Sequence, residues 1–136
     1  MDFVNWDASL ELGVDIMDRQ HHRLISIINE VDRTQRGEIN SLSTPQLINE
    51  LLDYIVEHFS TEEELMRRYE YADFAAHKSV HDAAANRLFD WNNNLGSEQQ
   101  SAEALLKYLV HWIEHHLKKE DLALANFLID KGVSNN

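Results

Sequence analysis

The sequence predicts an all-α protein, an antiparallel up-down four-helix bundle with a short fifth helix at the C-terminus. Three observations lead there. Apolar residues recur at helical spacing through four long segments, no stretch alternates as a half-buried strand would, and only four glycines and one proline interrupt the chain. Segments of roughly 17–23 residues joined by short connections favour antiparallel neighbours.

The first segment runs from about Asp18 to Thr34, with Leu24, Ile28 and Val31 on the face of His21. Gly13 precedes it, and Gly37 follows it where a helix-ending glycine belongs. The second runs from about Pro45 to Arg67 and carries Leu47, Leu51, Tyr54, Ile55 and Leu65. Thr44 before Pro45 reads as an N-cap followed by proline at the first helical position. The third runs from about Phe74 to Trp91, capped by Asp73, with Leu88 and Phe89 on its apolar side. The fourth runs from about Glu98 to Lys118 and carries Leu105, Leu109, Trp112 and Ile113. Gly96 separates it from the third, and Ser97 with Gln100 reads as its capping box. The run LALANFLI after Asp121 is the fifth helix.

Composition narrows the function. The 136 residues read as one domain, residues 1–136, and 43% hydrophobic content is enough for one core. Twelve Lys and Arg stand against 24 Asp and Glu, a formal charge of −12. A nucleic-acid partner requires a basic footprint, and an anionic membrane would repel this chain. No apolar stretch approaches a membrane span, and the first residues do not read as a signal peptide. A cytoplasmic location is expected. There is no cysteine, hence no disulfide, thiolate metal site or cysteine nucleophile.

Eight histidines demand an account. His58 and Glu62 stand four residues apart in the second segment, and His77 and His81 do so in the third. Residues at that spacing share a helix face. Here the face is apolar: His58 continues the row of Leu51 and Ile55, while His77 and His81 lead on toward Leu88. An ionised carboxylate there is costly unless a cation or hydrogen bonds compensate it. Glu62 falls on this face, whereas Glu63 and Glu64 point elsewhere. A single core histidine usually serves packing. An inward His-x-x-x-Glu beside an inward His-x-x-x-His points instead to a metal.

Two doubled histidines are resolved by their rows. His21 shares a row with Leu24, Ile28 and Val31, and His22 with Ser26 and Asn29. His116 follows Leu105, Leu109, Trp112 and Ile113, whereas His115 lies beside Tyr108 and His111. His21 and His116 therefore join the inward set, and His22, His111 and His115 read as solvated or rim histidines. Imidazole and carboxylate without sulfur suit zinc, iron, copper or nickel. A structural zinc takes only four ligands, fewer than are on offer. HKSVH lacks the glutamate of a zinc-protease HExxH, and no Glu lies three residues before a His as in ferritin-like sites.

Trp6-Asp7, DRQH at 18–21, HFSTEE at 58–63, YADFAAHKSVH at 71–81 and WIEHHLKKED at 112–121 carry a resemblance. Their order and intervals resemble those of the hemerythrins, in particular the single-domain bacterial ones, along nearly the whole chain. Ala72 departs from the pattern, standing where relatives often have proline in a turn. The resemblance implies two irons. His77, His81 and His116 would hold one, His21 and His58 the other, and Glu62, Asp121 and an oxo or hydroxo group would bridge them. Counted against two octahedral ions, these ligands leave one position open, which the resemblance gives to the His21/His58 iron. His116 and Asp121 would stand about 140° apart on a straight α-helix. The chain is therefore expected to end, kink or widen between Leu117 and Glu120.

The function so implied is reversible O2 binding by a carrier, store or local supply, not an enzyme, with an unidentified protein receiving the oxygen. Ile25, Trp112 and Ile113 lie on the inward side within four residues of His21 or His116 and are expected to wall a dry O2 pocket. Two other classes compete. A sensor of O2 or iron state ordinarily carries an output domain, for which this chain has no room. An enzyme reducing peroxide or NO needs an acid, a base or a substrate pocket that the sequence does not offer.

Overall fold

The structure, a computed structural model, describes residues 10–93 and 98–133. Its helices are α1 (Asp15–Gln35), α2 (Thr44–Arg68), α3 (Phe74–Asn93), α4 (Glu98–Trp112) and α5 (Leu122–Asp130). A π-helical segment, Ile113–Asp121, joins α4 to α5 without a break. The described residues contain no strand. α1 packs on α2 and α4, and α2 packs on α3. His21 and His77 lie near the starts of α1 and α3, while Glu62 and His116 lie near the ends of α2 and of the α4–π rod. All four meet in one buried cluster, as an up-down bundle requires.

Local chemistry sets the helix boundaries. α1 ends at Gly37, as expected: Gly37 has φ 72°, its N–H donates to Thr34 O at 3.0 Å, and Glu38 N–H donates to Arg33 O at 3.1 Å. This double closure satisfies carbonyls that the helix leaves unpaired. α2 closes in the same way with Tyr71 N–H on Met66 O at 2.9 Å, but the left-handed residue is Glu70, φ 56°. At the other end of α2 the cap lies one residue earlier than expected. Ser43, not Thr44, accepts from Gln46 N–H, and Ser43 N–H donates to the Gln46 side chain. The reciprocal box needs a partner three residues on, and Gln46 supplies it to Ser43.

Phe89 is a second correction. Expected on the apolar side of α3, it is 53% exposed. The buried row of α3 is the narrow series His77, His81, Ala84 and Leu88, which turns Phe89 outward. Trp6-Asp7, Gly96 and the Ser97–Gln100 box lie outside the described residues and side chains.

The core has two parts. The larger fills the bundle body and includes Ile25, Ile28, Ile55, Phe59, Leu105, Ile113 and Leu117. The smaller gathers Leu12, Val14, Met17, Met66, Leu124 and Leu128 at the opposite end. Along each of three helical rods the inward ligand stands between the two: His21 between Met17 and Ile25, Glu62 between Phe59 and Met66, Asp121 between Leu117 and Leu124. Asp18 fixes the chain entering α1, its carboxylate accepting Leu12 N–H at 2.8 Å and Gly13 N–H at 3.1 Å. Among the described residues no helix is long and apolar enough to cross a membrane.

Candidate metal centre

The structure brings all seven nominated residues together. His21, His58, Glu62, His77, His81, His116 and Asp121 are each at most 3% exposed. They form two groups able to hold an ion: His77, His81 and His116, and His21 and His58, each completed by Glu62 and Asp121. His22, His111 and His115 are exposed, as their rows indicated.

The two carboxylates belong to both groups through different oxygens. Glu62 Oε1 lies 2.9 Å from His77 Nε2 and 3.0 Å from His81 Nε2, and Oε2 lies 3.0 Å from His58 Nε2. Asp121 Oδ1 lies 2.9 Å from His116 Nε2 and 3.1 Å from His77 Nε2. Its Oδ2 lies 3.1 Å from His21 Nε2 and 3.7 Å from His58 Nε2. Each carboxylate thus offers one oxygen to each side. Several of these atoms are close without being hydrogen-bonded: Glu62 Oε2, His81 Nε2, His116 Nε2 and Asp121 Oδ1 are buried and have no hydrogen-bond partner. Buried polar atoms are rarely left so. Aimed at common points and built of nitrogen and oxygen only, this donor set fits cations between the residues.

The backbone places Asp121. In the π-helical segment residues five apart come nearly onto one face. His116 and Asp121 use that wide turn, which is the departure expected between Leu117 and Glu120.

The electrostatics are those of two acids among imidazoles. Burial pushes His58 down, but Glu62 and Asp121 outweigh it and raise it to about 10. His77 is raised to about 9 by the same contest between burial and the two carboxylates. His116 is raised as well, burial being overcome chiefly by Asp121. Burial and Asp121 push Glu62 up, yet His58 and His77 hold its carboxyl below the usual range. Asp121 is held well below its own range by His116, His21 and His58, against burial. The site requires positive charge in its midst, as protons on imidazoles or as cations.

Sequence reasoning missed the groups behind the ligands. His58 Nδ1–H donates to Gln20 Oε1 at 2.7 Å, His81 Nδ1–H to Glu63 at 3.1 Å, and His116 Nδ1–H to Glu120 at 2.8 Å. Glu63 therefore does not simply point away. The Glu120 contact was detectable, being four residues along the same rod. Those of Gln20 and Glu63 cross between helices and leave no spacing signal. Tyr54 stands in the apolar row of α2. Its ring stacks on His58 at 5.2 Å, but its hydroxyl is buried without a partner, and burial with Asp121 and Glu62 raises it well above the usual phenol range.

Of the residues nominated for an O2 pocket, Trp112 lines a small apolar cavity of about 10 Å³ together with Tyr54, Phe59 and Leu88. Its ring also lies against His116, centroids 4.1 Å apart. Ile25 and Ile113 are buried nearby in the same core but do not line that cavity.

Fold and site together define a helical bundle built around a buried histidine–carboxylate cluster able to hold cations. The family model of the hemerythrin HHE cation binding domain matches residues 12–128, and the chain belongs to the hemerythrin family. It is 31% identical to a bacteriohemerythrin of Stenotrophomonas maltophilia, over 89% of this chain and 78% of that one. It is likewise 31% identical to a bacteriohemerythrin of Methylococcus capsulatus, over 89% and 93%. The crystal structure of a wild-type hemerythrin superposes with a TM-score of 0.65 at 26% identity, covering 85% of this chain and 93% of the other.

Proposed function

We propose that the chain holds two irons and binds O2 reversibly at them, as an oxygen carrier, store or local supply. The observation that supports this most is the division of oxygens at Glu62 and Asp121, one to each histidine group, which suits two ions side by side. His77, His81 and His116 would hold one iron and His21 and His58 the other. When bound, such a pair supplies the electrons and the open coordination position that reversible O2 binding uses. The names of the bacterial relatives are those of hemerythrins, which agrees with binding rather than turnover.

The chain's own contribution is orientation and dryness. Hydrogen bonds behind His58, His81 and His116 fix those rings with Nε2 inward. Apolar layers on both sides keep water and stray protons from the centre, where they would promote irreversible oxidation. Ile25, Trp112 and Ile113 complete the wall on the side of the larger core. The proposal includes a cytoplasmic location and an unidentified protein as recipient of the oxygen.

The test is optical. Iron-loaded protein should carry two irons per chain, be colourless when reduced, become coloured in air and turn colourless again when O2 is removed. If deoxygenation never restores the reduced form, the carrier reading fails and an oxidase or peroxidase is the better account.

A further inference from the structure

The two groups of ligands differ in what stands behind them. On one side, His81 Nδ1–H donates to the carboxylate of Glu63 and His116 Nδ1–H to that of Glu120. On the other, His58 Nδ1–H donates to the neutral amide oxygen of Gln20. The Gln20 amide in turn donates to Thr61 Oγ1 at 3.0 Å, and that hydroxyl donates to Glu57 O at 2.9 Å, so the relay ends on a neutral carbonyl. His21 Nδ1 is buried with no hydrogen-bond partner.

An imidazole that donates to a carboxylate carries more electron density on its far nitrogen. It binds a cation more tightly and favours the more highly charged state of the metal. Two of the three histidines in the His77/His81/His116 group have this support, and neither histidine of the His21/His58 group has it. Glu63 is well placed to give it: its side chain is 14% exposed, and the nearest cations, Arg67 and Lys78, stand 3.9 and 4.0 Å from its other oxygen. Glu120 is more open, at 39% exposure, and its effect is correspondingly more screened.

We propose that Glu63 and Glu120 are positioning residues that make the two metal positions unequal, so that the His77/His81/His116 position fills first and gives up its electron first. This rests on the two-iron reading above. Filling order follows from affinity. Redox order follows because each oxidation removes one electron to an external acceptor, with no bond made or broken, from the ion whose ligands best stabilise the added charge. The asymmetry would leave the ion that keeps its electron longer on the side with fewer histidines.

The decisive experiment titrates cobalt(II) into metal-free protein by calorimetry and absorption, then titrates the iron-loaded protein electrochemically with a soluble mediator. Wild type should take up cobalt in two resolved steps and pass through a well-populated one-electron-oxidised form with a single unpaired spin. Glu63→Gln and Glu120→Gln keep an acceptor for the ring N–H but remove the charge. Glu63→Gln should weaken the first cobalt step about ten-fold and Glu120→Gln by less, both leaving the second nearly unchanged. Together they should shrink the one-electron form. Gln20→Glu should act from the opposite side, tightening the second step and also shrinking that form. If the double variant does not fold, Gln20→Glu alone decides. Two unequal cobalt steps that none of these substitutions moves would overturn the role of Glu63 and Glu120. Uptake of only one metal per chain by wild type would instead overturn the two-iron reading.

Discussion

His116 and Asp121 are five residues apart, yet His116 Nε2 and Asp121 Oδ1 lie 2.9 Å apart. The π-helical segment Ile113–Asp121 makes this contact. Inserting one alanine after Lys119, which is exposed, should carry Asp121 about 100° further round the rod and off the site. Helix content by circular dichroism should change little, while iron falls well below two per chain. Full iron content in the insertion variant would remove Asp121 from the ligand set.

Replacing a buried ligand should differ sharply from replacing its exposed counterpart. His77→Ala removes the imidazole that Glu62 and Asp121 share and should destabilise the metal-free protein by about 3 kcal/mol, as when one partner of a buried pair is lost. It should also cut bound iron to about one per chain or less. His22→Ala, on the exposed face of α1, should do neither. Denaturant titration and metal analysis of the two variants make the comparison, and equal iron content in both would refute the assignment.

The raised histidines fix a pH dependence. His58 at about 10 and His77 at about 9 are above the ordinary histidine value, so protonation favours the folded metal-free chain. Their contribution is complete below about pH 6.5 and is lost as pH rises through 9 to 10. Glu62 and Asp121, depressed, contribute above the usual carboxylate range and lose their effect only in acid. Metal binding must displace the imidazole protons, so at neutral pH uptake should release protons and tighten as pH rises. Calorimetry in buffers of different ionisation enthalpy measures the release. Metal-free stability that stays flat from pH 7 to 10 would contradict the electrostatics.

Ile113 is 5% exposed, one turn before His116. Ile113→Ala opens space beside the site and should cost about 2–4 kcal/mol of stability. Both irons should remain, but water enters and the oxygenated colour should fade several-fold faster. An unchanged fading rate would show that Ile113 does not guard the centre.

Glu70 closes α2 in a left-handed conformation that side-chain-bearing residues avoid. Glu70→Gly should therefore raise stability by about 0.5–1 kcal/mol, seen as a higher melting temperature with unaltered iron content. A lower melting temperature would mean that the Glu70 side chain contributes more than its backbone costs.

Most of the fold was legible because long helices advertise themselves by period. The rows of Leu24, Ile28 and Val31, or of Leu105 and Leu109, admit one inward face, and that face chose His21 over His22 and His116 over His115. Reading failed where one residue decides. Ser43 and Thr44 are both acceptable caps, and the reach of Gln46 decides for Ser43. Phe89 looked buried because it is large and apolar, but α3 buries only the row through Leu88. The groups behind the ligands were invisible for a different reason. Gln20 serves a histidine on another helix, and Glu63 does too, so their meaning exists only once α1, α2 and α3 are side by side.

The layering of Met17, His21 and Ile25 along α1, repeated around Glu62 and Asp121, bears on how the helices keep their heights. A packed face of leucine and isoleucine tolerates a neighbour that has slipped along its axis, since one aliphatic knob resembles the next. The ligand tier does not: a slip of one turn, about 5.4 Å, would drive a carboxylate into a greasy tier and an isoleucine into the polar one. The polar tier is thus a vernier, the one mark on each rod that must line up with the others. It sets the vertical alignment that the aliphatic tiers only hold in place.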